Sequence, residues 1–301
     1  MMLLADAVPP APSAREVMAR AETENFPVAS WVLPRRVRAH LLAVYGFARL
    51  VDELGDSAPG DRLAALDWLE AELDRAYRGE AEHLLLQRLG ATVAECRLPR
   101  EPFVRLIEAN RTDQRVSRYE TWEQLREYCS LSADPVGEIV LGVFGAATPA
   151  RVALSDSICT ALQLAEHCQD VAEDFLAGRI YLPLQDMERF GCREQDLDPA
   201  DRPSGDRPAL RAVLAFEVER ARALLWHGAP LIDELRGRER LAIAGFVAGG
   251  HAALDAIERA RYDVLAGAPT ASKPRRLAAL LTTLSGRRRG WAPAKPQPVG
   301  K

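Results

Sequence analysis

The chain has 301 residues, 48% of them hydrophobic and 27% charged, with a formal net charge of −4. It is long enough to bury a sizeable core, and it carries no global positive field that would favour nucleic acid as a partner. Aromatic residues are scarce at 6% and β-branched runs hardly occur, which disfavours sheet.

In chain order, residues 1–12 lack a basic segment and contain prolines where a signal peptide needs an apolar core, so they are expected to be disordered. Ser13 and Glu16 form a capping box ahead of a short helix. An apolar helix is predicted over 34–56, and others over 62–77, 81–95 and 101–110. Thr121 with Gln124 opens a helix to about 145, kinked by Pro135, which lacks a backbone donor. Thr148-Pro149 is an N-cap and N1 pair for a helix that Gly178 should stop. Further helices are predicted over 208–226, over 230–266 with a break at Gly249-Gly250, and over 274–284. Loops fall at 199–205 and in the tail, 286–301. The expected fold class is all-α: one helical domain over 13–285, without internal repeat or linker, followed by a disordered basic, proline-rich tail.

The cysteines, Cys96, Cys129, Cys159, Cys168 and Cys192, stand singly without a C-x-x-C pair. They read as reduced thiols of a cytoplasmic protein. No stretch approaches the ~18 apolar residues needed to span a bilayer, so a lipid substrate would be collected from a membrane surface or a partner.

Two helices break the apolar pattern in the same way. Over 41–56 the residues are apolar nearly all round, yet Tyr45, Arg49, Asp52 and Asp56 fall at i, i+4, i+7 and i+11, a single inward stripe. Over 162–175, Gln163, Glu166, Asp170 and Asp174 share a face flanked by Leu, Ala, Val and Phe, with Glu173 at its edge. Carboxylates four apart repel, and sinking several into an apolar bundle costs several kcal/mol each, by rough estimate, unless cations compensate. Mg²⁺ suits such a site: it takes carboxylate oxygens, keeps waters and completes its shell with substrate phosphates. Facing each other, the two D-x-x-x-D pairs could hold Mg²⁺ around a diphosphate, with Arg49 and Arg179 near its oxygens. The similarly spaced Glu70 and Asp74 read instead as a solvated helix face.

These residues resemble the squalene/phytoene synthase family, and the resemblance extends from about Glu24 to Tyr262. It is carried by E-N-F-P-V-A-S over 24–30, A-V-Y-G-F-A-R-L-V-D over 43–52, Asp113, R-Y-E-T-W over 118–122, Tyr128-Cys129, P-V-G over 135–137 and Q-D-V-A-E-D over 169–174. G-R-I-Y-L-P over 178–183 completes it. Within the family, the first of these blocks and the joined 169–183 block are most similar to the bacterial branch that makes hydroxysqualene for hopanoid biosynthesis. The resemblance implies one α-helical domain with a central cavity, in which presqualene diphosphate and water become hydroxysqualene and diphosphate. It implies Mg²⁺, with Mn²⁺ able to substitute, and no NAD(P)H. It places the metal on Asp52, Asp56, Asp170 and Asp174. Catalytic roles fall on those four aspartates and on Tyr45. Substrate contacts fall on Arg49, Asn25, Phe26, Asp113, Gln163, Glu166, Arg179 and Tyr181. Its partners would be an isoprenoid diphosphate, the enzyme supplying presqualene diphosphate, and an oxidoreductase downstream.

The chain departs from the family pattern at Asp52-Glu53, where two aspartates are usual. It departs again at Glu166 and Gln169, where Asn and Arg are common: Glu166 could be an additional metal ligand or could weaken diphosphate binding by its negative charge, and Gln169 removes one positive charge. Ala133, Val136, Gly137, Leu141, Gly142 and Phe144 could form an apolar wall, with Phe26, Phe47 and Tyr45 offering π-faces to a carbocation; close helix packing is the alternative role for the small residues. Water must be held by a hydroxyl, for which Tyr45, Ser130, Ser132 and Tyr181 are candidates. Lys273, Arg275, Arg276 and the 287–289 arginines beside Trp291 could tether the chain to anionic lipid at the inner membrane face.

Three other readings compete. A condensing synthase would join two prenyl diphosphates with the same motifs. A di-iron bundle needs two Glu-x-x-His motifs, and only Glu80-x-x-His83 fits. A non-catalytic scaffold would not need the inward aspartates. His40, His167, His227 and His251 show no ligand spacing and read as structural or surface residues.

Overall fold

Capping residues and prolines set most element ends in the computed structural model, which describes residues 12–19, 33–200 and 207–286. Asn25, Phe26 and the rest of the 24–30 motif, residues 1–11 and the basic tail beyond 286 lie outside the described residues.

Helix α1 (Ala14–Ala19) starts at Ser13, whose backbone N–H donates to the Glu16 carboxylate over 2.8 Å while its hydroxyl accepts from the Glu16 N–H over 3.4 Å, as the capping box predicts. Helix α2 (Arg35–Asp52) runs on into a π-helical turn at Glu53–Ser57, so the first acidic stripe lies on one continuous rod. Helices α3 (Arg62–Arg78), α4 (Leu84–Cys96) and α5 (Glu101–Asp113) follow. Helix α4 begins three residues later than predicted. Buried Glu72 accepts from the backbone N–H groups of Glu82 and His83 and holds that segment as a turn. Glu70 and Asp74 are not merely solvated: both pair with Arg100, and Glu70 also takes Arg111 at 2.8 Å.

The helix predicted over 121–145 is two: α6 (Trp122–Ser132), capped by Thr121, and α7 (Asp134–Val143). Pro135 breaks it rather than kinking it, because its ring cannot follow an unbroken turn; Val136 N–H closes instead on the Ala133 carbonyl. Helix α8 (Pro149–Gln169) is likewise separated from α9 (Val171–Leu176) at Asp170, whose φ of −100° and ψ of 16° leave the helical region. Gly178, at φ +81°, turns the chain in the left-handed region that suits glycine. Helix α10 (Leu184–Arg189) and a 3₁₀ turn at Glu194–Leu197 were not foreseen in the sequence.

Helices α11 (Pro208–Gly228), α12 (Leu231–Glu234), α13 (Gly237–Arg259) and α14 (Lys273–Leu284) complete the described chain. The predicted break at Gly249-Gly250 does not occur; α13 passes through both glycines, and the chain breaks before Gly237 instead. Helix α13 is also long and apolar enough by composition to cross a membrane, which corrects the sequence expectation, but its faces are largely spent on the core.

Among the described residues no strand forms, and two apolar clusters share the interior. One gathers α2 to α5 with part of α7, around Phe47, Leu66, Leu89 and Phe103. The other gathers α6, α8, α11 and α13, around Leu125, Leu164, Val218 and Leu254. The close approach of α8 and α11 depends on Gly228. A Cβ there would lie 2.5 Å from Ile158 Cγ1 and 2.6 Å from the Leu154 carbonyl oxygen, and the backbone oxygen cannot swing aside. Gly228→Ala should therefore destabilise the fold by about 1–3 kcal/mol, despite alanine's better helix propensity. Urea unfolding at matched m-value measures this, and an equal or higher midpoint would refute the packing constraint.

Candidate active site

The two clusters meet around a cavity of about 340 Å³. Helix α2 and its π turn contribute Ala48, Val51, Asp52 and Asp56, and α5 contributes Leu106, Ala109, Asn110 and Asp113. Tyr128, Ser132 and Val136 come from α6 and α7, while Gln163, Glu166, His167, Asp170 and Asp174 come from α8, α9 and the break between them. Arg179 and Tyr181 close the ring.

Nine residues expected to face substrate or metal thus share one cavity: Asp52, Asp56, Asp113, Gln163, Glu166, Asp170, Asp174, Arg179 and Tyr181. Tyr45 and Arg49 do not line it. The residues of α2 and its π turn that line it begin at Ala48, while Tyr45, about two turns before Asp52 on the same helix face, is buried at 5% exposure. Arg49 Nη1 stands 3.6 Å from Asp52 Oδ2, so it reaches the site through that carboxylate. Phe47 is fully buried edge-on to Phe103, with ring centroids 5.3 Å apart, and offers no face to the cavity. Of the expected apolar wall only Val136 lines it. Gly137 lies against Ser155 and Cys159, and Gly142 against Leu98, so both serve close packing.

Electrostatics follow from the crowding of acids. Burial and repulsion from Asp170 and Glu166 push the Asp174 carboxyl up to about 7, against the pull of Arg179. Burial raises Asp170 as well, with Glu173 adding to it. Asp113 is pushed up to about 6 by burial, although the Tyr128 and Tyr181 hydroxyls donate to it over 2.8 and 3.2 Å. Arg179 is the one guanidinium among the described lining residues. Its Nη2 donates to Asp56 over 3.0 Å, while its backbone N–H donates to the Asp174 carbonyl over 2.8 Å. A single residue therefore ties the first acidic motif to the second.

His167, read from sequence as structural or surface, lines the cavity. Its ring stacks on Tyr181 at 4.0 Å and 9°, and burial pushes its imidazole down to about 3, so it is neutral at ordinary pH. The signal was present in the sequence: His167 falls four residues after Gln163 and three before Asp170, on the stripe itself. Asn110 and Tyr128 were missed as lining residues, since neither belongs to an acidic stripe. Among the candidate water-holding hydroxyls, Ser130 donates to the Glu127 carbonyl away from the cavity, and Tyr181 is committed to Asp113. Ser132 lies in the wall, with a buried Oγ that has no protein partner.

No three Asp, Glu, His or Cys side chains among the described residues converge into a ready-made metal cage. The donors nevertheless fit Mg²⁺, which binds through one or two carboxylates and fills its shell with water and phosphate oxygens. Mutually repelling carboxylates around a cavity are the chemistry such a cation relieves.

The squalene/phytoene synthase family profile matches residues 19–277. The chain belongs to this family. It is 37% identical over 221 residues to a hydroxysqualene synthase of Sinorhizobium fredii, covering 71% of this chain and 72% of that one. A phytoene synthase of Mycobacterium tuberculosis is 29% identical over 266 residues, covering 87% and 84%. Among solved structures, the squalene synthase HpnC from Alicyclobacillus acidocaldarius superposes with a TM-score of 0.75 at 46% identity, over 83% of this chain and 93% of that one. A dehydrosqualene synthase in complex with ligand gives 0.76 at 25% identity, over 91% and 98%. The all-α architecture is thus that of the family.

The raised carboxyl of Asp174 has a consequence for stability. Its folded value of about 7 lies above that of the unfolded chain. Below about pH 4 both states hold the proton; between about 4 and 7 only the folded state does, so stability falls as pH rises through that window. Asp174→Asn cannot ionise and should raise the melting temperature of the metal-free protein at pH 8 by about 2–6 °C. That gain should shrink with falling pH and vanish below about pH 4. Melting curves in EDTA across this range test it; a pH-independent difference would remove the electrostatic cause.

Proposed function

We propose that this chain converts presqualene diphosphate and water to hydroxysqualene and diphosphate in a Mg²⁺-dependent reaction. The observation that carries the reading is one cavity in which both acidic motifs face each other, joined by Arg179 and Asp56 at 3.0 Å. Relatives named hydroxysqualene synthase at 37% identity support the choice of substrate. Held by Asp52, Asp56, Asp170 and Asp174, with Glu166 beside them, Mg²⁺ would neutralise charge on the leaving diphosphate.

The chain's own groups have separate tasks. Arg179 can exchange its Asp56 partner for diphosphate oxygens, a charge-assisted contact that strengthens as the leaving group gains charge. The C–O bond breaks with both electrons remaining on diphosphate, and the hydrocarbon is left as a cation. Asp113 fixes the hydroxyls of Tyr128 and Tyr181, and so orients two aromatic rings at the cavity wall. Val51, Leu106, Ala109 and Val136 supply apolar lining without nucleophiles. Water then adds through oxygen and releases one proton, yielding an alcohol. No electron is transferred, so the reaction calls for no nicotinamide.

The second reading, condensation of two prenyl diphosphates, is favoured by the phytoene synthases among the relatives. Product analysis separates the two. With presqualene diphosphate and Mg²⁺, hydroxysqualene should form, unchanged in rate or identity by NADPH; squalene formed only with NADPH, or efficient use of farnesyl diphosphate alone, would favour condensation. Asp52→Asn and Asp170→Asn should each keep the fold and lower turnover by about a hundredfold or more. Full activity in EDTA, or wild-type rates in both variants, would refute the metal requirement.

A further inference from the structure

Arg179 sits on a short segment after Gly178 that has no helix of its own, so its guanidinium is only as well placed as that backbone. The backbone is strapped from outside the cavity. Arg118 Nη1 donates to the Gly178 carbonyl over 2.7 Å and to the Ser117 carbonyl over 2.8 Å. On the other side of Arg179, the Ile180 N–H donates to the Ser117 carbonyl over 2.9 Å, forming an isolated parallel bridge between Arg118 and Ile180. The pairing continues from Leu184 to Tyr119 and from Gln185 to Glu120, at 2.9 and 3.0 Å. Arg118 is itself oriented by a two-point ion pair, its Nε and Nη2 each 3.0 Å from an oxygen of Glu194.

We infer that Arg118, held by Glu194, is a positioning residue that fixes the 178–180 segment and thereby aims Arg179 at the diphosphate. Its guanidinium is not among the cavity-lining groups, so it acts through Arg179 and not on substrate. Three donors are used in one plane, two on the carboxylate and one shared between carbonyls, which is a geometry lysine cannot reproduce. The 3₁₀ turn carrying Glu194, which has no part in the acidic motifs, thereby gains a role in the site.

The inference rests on the diphosphate reading above, and two measurements keep the two separable. The first is binding of inorganic diphosphate with Mg²⁺, by titration calorimetry, to the wild type and to Arg118→Ala, Arg179→Gln and the double variant. Arg118→Ala should weaken binding about tenfold, and the double variant should bind no worse than Arg179→Gln alone, because the strap has nothing left to aim. The second is native-state hydrogen exchange, in which the Ile180 amide should open at least about tenfold faster in Arg118→Ala while core amides hold. Additive losses in the double variant, or unchanged exchange at Ile180, would overturn the inference. Faster exchange with no diphosphate binding even in the wild type would refute the diphosphate reading and leave the strap without a diphosphate to aim at. Should Arg118→Ala fail to fold, Arg118→Lys and Glu194→Gln loosen the same contacts with little loss of volume and should show the same coupling, more weakly.

Discussion

Repulsion among half-buried carboxylates is the constraint around which this fold is arranged. Asp170 and Glu166 stand close enough to Asp174 to raise its proton affinity, and Asp113 is buried nearby. A bundle with no ligand would replace such residues, because apolar side chains of similar size cost far less to bury. On the proposed function they are a charge reserved for cations, with Arg179 supplying only part of the balance.

Helix geometry holds these acids in place. Long α2 and α8 are anchored in two different apolar clusters, so the acidic stripes are carried on well-packed rods and not on loops. The irregularities fall where the acids are: a π turn follows Asp52 and contains Asp56, and a helix break falls on Asp170. Irregular turns within long helices often mark functional positions, since they cost hydrogen-bond geometry that packing alone would not spend. Between the motifs, the pairing of 117–120 with 180–185 brings the end of α5, with Asp113, beside Arg179.

Much of this was legible in the sequence, for identifiable reasons. Spacing and capping gave the helices, since Ser13, Thr121 and Thr148 leave a local chemical signature. The stripes were legible because polar residues on an otherwise buried helix have few other uses. What was misread depended on tertiary context. Gly249-Gly250 looked like a break, yet packing of α13 against its neighbours overrides propensity there. The break at Asp170 had no proline or glycine to announce it. The small residues of α7 resembled a cavity wall, but only their neighbours on α8 and at Leu98 reveal that Gly137 and Gly142 are packing positions. Tyr45 and Arg49 share the stripe with Asp52 and Asp56, but helical period alone does not say how far along α2 the cavity extends, and its α2 lining begins at Ala48.

The departures from the family pattern at 166 and 169 weigh differently once placed. Gln169, where arginine is common, donates through Nε2 to the Pro269 carbonyl and is not among the cavity-lining residues. The positive charge it replaces is therefore missing from a position whose side chain, in this chain, faces the 269 loop. Glu166 is different, for it lines the cavity and adds to the repulsion on Asp174. Glu166 thus shifts the site toward negative charge without an added lysine or arginine in the described wall. On the proposed function, neutralisation of a bound diphosphate would then depend more on mobile cations than on fixed ones, and more heavily on the placement of Arg179. A site so balanced gains from an arginine whose backbone is held on both sides, which is what the strap from Arg118 and Ser117 provides.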